Sequence, residues 1–524
     1  MKKPVLLSFI FLIAYFFQIQ SAFANEPVGL TIKLTSGYIQ GKSDKSGIKS
    51  FKGIPFAAPP VGNLRWKAPA PVVAWEGIKS CQAFGPSAIQ APPAPFYMWS
   101  EEFLIPKEPI NEDCLYLNVW TNAKKTTDKK PVIVWIHGGG FSSGGASVPI
   151  YDGEKLAAKG VVYVSINYRV GIFGFFAHPE LSKESPMHAS GNYGLLDQIA
   201  ALQWVKSNIA KFGGDPNNVT IAGQSAGSMA VVSLIASPLA KGLFQKAIAE
   251  SGAGLLPRNP LVSKQALVGL KESEEQGKKA MESIGLQNLD QMRAVPAEEL
   301  RKKASMRSGV IVDGYFLPES IEVIFNQKKQ NKVHLLTGWN EDEGLVMGPY
   351  KKADAFKSDI EKQYGKYASE LLKHYPANND SLAVNSQNRL SRDLVFGAPN
   401  FILANLHSDQ GHPVYVYRFT RVVPAYGEYK KFKAFHTGEV PYALNTLHLV
   451  NRPWEKEDWG LANTMSTYWI NFAKSGNPNV KGLPDWPAFN SKSLEILQLD
   501  KQVEKRKIPD AASLKFFYQQ IYLN

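Results

Sequence analysis

Val132-Ile133-Val134-Trp135-Ile136 is an apolar run without a polar break, and Val161-Val162-Tyr163-Val164-Ser165-Ile166 is nearly another. A strand wetted on one side alternates apolar with polar residues, whereas a continuous run belongs to a strand covered on both faces. The segments that follow have a different period. Leu195, Ile199, Leu202, Val205 and Ile209 recur every three to four positions, the spacing of an amphipathic helix. Phe212-Gly213-Gly214-Asp215-Pro216 ends that helix with turn residues, Val219-Thr220-Ile221-Ala222 reads as another strand, and Ser228 to Ile235 as another helix. Covered strands that alternate with helices need crossover connections, so an α/β fold is expected, with a large, mostly parallel sheet flanked by helices. Residues 267–305 are charged and helical in pattern, and are expected to form an excursion over the sheet. No repeat, low-complexity tract or long linker divides the chain, so residues 25–524 read as one domain.

The first residues read as an address. Lys2 and Lys3 precede an apolar run from Val5 to Phe17 that only Ser8 interrupts, and Ala22-Phe23-Ala24 supplies the small-x-small pattern of a signal-peptidase site. As a helix this run would span roughly 20 Å, short of the ~30 Å hydrocarbon core of a bilayer. Residues 1–24 are therefore expected to be a signal peptide cut after Ala24, and the mature chain to be secreted or periplasmic. No later stretch reaches the ~18 uninterrupted apolar residues of a membrane span, so no stable span is expected in the mature chain. Lys and Arg exceed Asp and Glu by 59 − 46 = +13. That charge is dispersed into short pieces such as Lys124-Lys125 and Lys129-Lys130, without the patch a nucleic-acid partner needs. Two cysteines cannot build a disulfide scaffold or a Cys-rich zinc site. In an oxidising compartment, Cys81 and Cys114 are expected to pair.

The pattern G-x-S-x-G occurs twice, at Gly140-Phe141-Ser142-Ser143-Gly144 and at Gly223-Gln224-Ser225-Ala226-Gly227. A nucleophilic serine of this type sits on a strained turn between a strand and a helix, with glycines that let the two elements approach. Ser225 has a strand before it and a helix after it. Ser142 is followed by Gly144, Gly145 and Pro149, which cannot start a helix there. Ser225 is thus the expected nucleophile. Acyl transfer also needs donors aimed at a developing oxyanion. His137-Gly138-Gly139-Gly140 follows the Val132–Ile136 strand with three glycines whose N–H groups no side chain shields, and Ala226 adds the N–H after the nucleophile. Spacing alone does not choose the remaining partners. His374, His407, His412, His436 and His448 all follow the serine, and Glu341, Asp342 and Glu343 are consecutive.

The chain resembles the type-B carboxylesterase family of the α/β-hydrolase fold. The segments that carry the resemblance include Phe51-Lys52-Gly53-Ile54-Pro55-Phe56-Ala57, Glu112-Asp113-Cys114-Leu115-Tyr116-Leu117-Asn118-Val119-Trp120, Asn167-Tyr168-Arg169, Gly191-Asn192-Tyr193-Gly194-Leu195-Leu196-Asp197-Gln198 and Asn471-Phe472-Ala473-Lys474-Ser475-Gly476-Asn477-Pro478-Asn479. The resemblance implies that Glu343, in Asp342-Glu343-Gly344, is the acid, and that His436, in Phe435-His436-Thr437-Gly438-Glu439, is the base. It carries the oxyanion donors onto Gly139, Gly140 and Ala226. It implies a serine carboxylic-ester hydrolase acting on a small-molecule ester through an acyl-enzyme on Ser225, with no metal or organic cofactor. Thioester or amide hydrolysis by the same residues is the nearest alternative, and a non-catalytic adhesion module related to cholinesterases the more distant one. Two positions depart from the family. Gln224 stands where cholinesterases carry Glu, which disfavours choline esters, and Ala88 stands where many relatives carry the cysteine that pairs with the one in Glu-Asp-Cys. The loop Pro92–Pro109, with Phe96, Tyr97 and Trp99, and the segments after residue 300 are expected to shape the substrate pockets.

Overall fold

A computed structural model describes residues 26–255 and 267–523, apart from 305, 307 and 347. The expected signal peptide lies outside the described residues. The two apolar runs become neighbouring parallel strands, with Val132 opposite Val162 and Ile136 opposite Ile166. Numbered along the chain, the strands of the main sheet are β1 Lys42–Ser43, β2 Lys49–Pro55, β3 Tyr116–Thr121, β4 Lys130–Ile136, β5 Val162–Ile166, β6 Gly214–Gln224, β7 Lys246–Glu250, β8 His334–Asn340, β9 Val414–Phe419, β10 Glu495–Leu499 and β11 Glu504–Lys507. Their order across the sheet is β11-β10-β9-β8-β7-β6-β4-β5-β3-β2-β1. The pairs from β5 through β4 and β6 to β10 are parallel, as expected. Both edges are antiparallel: β5 with β3, β3 with β2, β2 with β1, and β10 with β11. The sheet is therefore mixed, with six of its ten strand pairs parallel. β11 is Glu-Lys-Arg-Lys, exposed at every position, as suits an edge that must not pair further.

The pleat divides each covered strand between two cores. Val132, Val134 and Ile136 join the cluster that includes helices α1 Tyr193–Asn208 and α2 Ala226–Ala236, while Ile133 and Trp135 face the opposite layer. Three further helices matter below: α3 Asp380–Arg392, α4 Ala398–Asp409 and α5 Lys456–Ser475. Trp469 and Phe472 of α5 pack in the layer with Ile133 and Trp135. Helix α1 is less amphipathic than its spacing suggests, because Asp197, Gln198 and Trp204 are buried as well. Asp197 is fully covered because it takes the Arg169 guanidinium in two parallel bonds of 2.8 and 2.7 Å. The excursion forms short helices at Leu270–Glu282, Leu289–Ala294 and Ala297–Lys303, which pack Met281, Leu289, Met292 and Leu300 against Trp66, Phe173 and Phe176.

The expected disulfide is absent: Cys81 and Cys114 are both free and buried. Cys81 is held between two backbone hydrogen bonds, from its N–H to Gln40 O and from Lys52 N–H to its O, with Sγ directed at Gly53 O. Cys114 instead lines a small cavity with Arg65, Ala88 and Arg169. Burial pushes the Cys81 thiol up to about 11 and the Cys114 thiol higher still, so neither is a reactive thiolate at neutral pH.

Candidate active site

Strand β6 ends at Gln224 and α2 begins at Ala226, leaving Ser225 alone at the turn with φ +59° and ψ −125°. A residue with a β-carbon adopts that conformation only where its surroundings impose it. Here Ser225 N–H is tied to Glu250 O at 2.9 Å, at the end of the neighbouring strand β7. The flanking glycines are needed for contact. A β-carbon on Gly227 would stand 2.1 Å from Ile136 O, and one on Gly223 would stand 2.7 Å from the same oxygen. The other pentapeptide forms no helix; Ser142 N–H and Ser143 N–H both close onto Gly139 O at 3.0 Å.

The glycine loop runs beside this turn. His137 leads into it with a ring stacked on Tyr168 (4.3 Å between centroids) and Nδ1–H donated to Gly138 O at 2.8 Å. Burial lowers the His137 pKa to about 4, so it serves as a neutral brace. A β-carbon on Gly138 would press on Gln224 O at 2.8 Å, and Gly139 and Gly140 adopt φ +109° and +61°. Both are exposed, and neither N–H has a hydrogen-bond partner among the described residues. Gly140, Ser225 and Ala226 share the wall of a cavity of about 320 Å³ whose other lining includes Phe141, Met229, Leu345, Val395 and Phe396. No charged side chain lines it among the described residues. Cavities of about 350 Å³ beside Arg389 and Lys433, and about 440 Å³ beside Trp66 and Asp313, do not reach the serine.

Of the six histidines that follow the serine, His436 alone meets one of the three consecutive acids; His334, the first of them, bonds Gly476 O instead. Its Nδ1 lies 2.9 Å from Glu343 Oε2, and Glu343 Oε1 accepts Asn340 N–H at 2.8 Å. Glu341 is engaged by Arg418 and Arg392, and Asp342 accepts Ala434 N–H. His407 bonds Val333 O and packs on His412, while His374 sits near Glu370 on a helix. Burial favours the uncharged form of both His436 and Glu343, lowering the imidazole to about 4 and pushing the carboxyl up. The ring is thus neutral at neutral pH, the state that can accept a proton.

Three neighbours of His436 carry no signal of this role in the sequence. Phe396 stacks on the ring with centroids 4.3 Å apart, from a π-helical turn at Asp393–Gly397 that joins α3 to α4. Trp99 stands edge-on at 6.2 Å, which brings the Pro92–Pro109 loop to the site. Tyr97 packs on Phe432, and Phe96 is exposed. Gln224 Nε2 lies 3.3 Å from both ring nitrogens. Ser225 Oγ and His436 make no hydrogen bond among the described residues; the contacts of the ring nitrogens are with Gln224 and Glu343.

A turn-borne serine, a glycine loop and a buried histidine–glutamate pair on this sheet define an α/β-hydrolase-fold serine hydrolase. The chain belongs to the carboxylesterase family, whose pattern matches residues 29–517. It is 37% identical to a fumonisin B1 esterase of Sphingopyxis macrogoltabida, over 89% of this chain and 86% of that one. It is 35% identical to a para-nitrobenzyl esterase of Bacillus subtilis (strain 168), over 91% and 96%. A solved PNB esterase structure superposes with a TM-score of 0.80 at 32% identity, covering 94% of this chain and 99% of that one. The protein is a carboxylic ester hydrolase.

Proposed function

We propose that ester cleavage runs through Ser225, His436 and Glu343, on small esters whose bound half is apolar and uncharged. His436 Nε2 takes the Ser225 hydroxyl proton as Oγ attacks the ester carbonyl. The N–H groups of Gly139, Gly140 and Ala226 receive the negative charge that develops on the carbonyl oxygen. The tetrahedral intermediate expels the alkoxide, which takes the proton from His436, and an acyl-enzyme remains on Ser225. Water then attacks with the same base, releasing the carboxylic acid and restoring the serine. Glu343 keeps the proton on Nδ1 and stabilises the ring while it is charged.

The observation that carries this reading is the 2.9 Å contact between His436 and Glu343, beside the Gln224 that precedes the strained Ser225. The apolar, uncharged lining beside Ser225 supports the substrate class. An ester is favoured over an amide because an alkoxide needs less protonation to leave than an amine does. Residues 25–524 would act as one unit, exported after removal of 1–24; Lys2-Lys3, the Val5–Phe17 run and Ala22-Phe23-Ala24 support that route.

The test is Ser225→Ala on a panel of p-nitrophenyl esters of increasing acyl length, including a carboxylate-bearing one. The variant is expected to lose at least about 10³-fold in kcat. Uncharged medium-length acyl groups should outrun the charged one. A phosphonate that labels a residue other than Ser225 would refute the assignment. For export, the mature N-terminus should read Asn25.

A further inference from the structure

Gln224 is 2% exposed and lies between the glycine loop and the base. Its Nε2 is equidistant from the two nitrogens of His436, at 3.3 Å each. A donor lying along one in-plane lone pair would be close to one nitrogen and far from the other. In the ring plane, the position equidistant from both is blocked by Cε1–H. The amide therefore lies over a face of the imidazole. Phe396 occupies one face, stacked at 19°, so Gln224 holds the other.

The direction of the hydrogen bonds behind Gln224 is set from its far end. Trp99 Nε1–H can only donate, and it donates to Thr437 Oγ1 at 3.1 Å. Thr437 then turns its own proton toward Gln224 Oε1 at 3.4 Å. That leaves the Gln224 NH₂ to face the ring, and it fixes which end of the amide carries nitrogen. The chain Trp99, Thr437, Gln224 runs one way and ends on the imidazole. We infer that Gln224 is a positioning residue: with Phe396 it clamps the His436 ring between two faces and aims Nε2 at Ser225, leaving the Nε2 lone pair free for the serine proton. This rests on His436 being the base.

The clamp is uncharged, and that has a consequence a carboxylate at the same position would not share. The titratable groups that face His436 are Glu343 from the loop after β8 and Glu439 from its own segment. Glu250 at the end of β7 lies behind Glu439, and Arg392 and Arg418 act on Glu343 from α3 and β9. The turn that carries the nucleophile adds none. A neutral clamp lets the base stay unprotonated into mild acid, whereas a carboxylate over the ring would favour the imidazolium.

The test uses Gln224→Glu and Gln224→Met in the mature chain, with kcat, KM and the pH dependence of kcat/KM measured on one uncharged ester. Rates are normalised to sites titrated with a phosphonate, so that misfolded protein does not count. Gln224→Glu should move the acid limb of kcat/KM up by about one pH unit or more. Gln224→Met can neither donate to the ring nor accept from Thr437, and should lower kcat about tenfold, the worth of one buried hydrogen bond, with KM within about twofold and the acid limb in place. Wild-type kcat and an unmoved acid limb in both variants, with the phosphonate still on Ser225, would overturn the clamp alone. A phosphonate found elsewhere in the wild-type protein would overturn the triad on which it rests.

Discussion

Ser225 keeps a conformation that its β-carbon opposes, and its neighbours are chosen to hold it there. Gly227 is the sharpest case, because a β-carbon there would overlap the carbonyl at the end of β4. Gly227→Ala would drive a methyl to within 2.1 Å of Ile136 O, and backbone cannot give way there. The variant is expected to lose more than about 4 kcal/mol of stability or fail to accumulate folded, read by soluble yield and circular dichroism. A wild-type yield with full activity would show that the turn is more plastic than its geometry implies. The proposed base, His436, makes a separate prediction. Burial lowers the His436 pKa from 6.5 to about 4, so the ring is neutral above that value and protonated below it. The kcat/KM profile on an uncharged ester should stay flat through pH 6.5 and fall only toward pH 4. A limb near 6.5 would mean that the ring is solvated. The strained turn at Ser225 was legible in the sequence because its constraint is local: a strand, two glycines and a helix within a few residues. Glu343 and His436 were not legible by spacing, since their pairing joins segments far apart in the chain, and only the family resemblance selected them. Phe396 and the Gln224 clamp are tertiary contacts with no local pattern at all.

Among the elements, the covered strands were read correctly because a strand buried on both faces has no other composition available to it. The antiparallel edges carry no such signal: β1 and β11 are short, and the partner of β2 lies roughly 60 residues further along the chain. The cysteines show the same limit. Redox compartment says that thiols can pair, but the segment bearing Cys81 pairs with the backbones of Gln40 and Lys52, and its sulfur turns toward Gly53. Cys114 has Ala88 on the wall of its own small cavity. Ala88→Cys should therefore form a bridge to Cys114 when the protein is oxidised, adding about 3 kcal/mol in the loop-entropy account. Mass spectrometry under non-reducing conditions should find both thiols consumed and Cys81 still free. A Cys81–Cys114 peptide in that experiment would contradict the present arrangement of the two segments.

Across the whole molecule, an ionic junction built on two buried guanidinium groups ties Asp510 to the segments beside the candidate site. Arg418 of β9 donates to Glu341 at 2.9 Å and reaches Asp510 at 3.2 Å. Arg392, the last residue of α3, contacts the same Asp510, Glu341 at 3.2 Å and Asp393 at 2.7 Å. Glu341 lies two residues before Glu343, and Asp393 opens the turn that presents Phe396 to His436. Burial alone would raise the Asp510 carboxyl, but Arg418 and Arg392 outweigh it and hold the group at about 2. Asp510→Asn removes that anion and leaves two buried guanidinium groups short of a partner, which is expected to cost about 3–5 kcal/mol. The sign of the pH dependence follows from the depressed pKa. The contribution is complete above the ordinary carboxyl value of 3.8 and is lost as pH falls toward 2, so the gap in unfolding midpoint between wild type and Asp510→Asn should be constant from neutral pH to about 4 and narrow below it. Because the same junction anchors both the acid-bearing loop and the stacking turn, kcat should fall in this variant even under conditions where it is fully folded. An Asp510→Asn protein with an unchanged midpoint and unchanged kcat would show that the packed sheet holds those two segments without help from the chain's end.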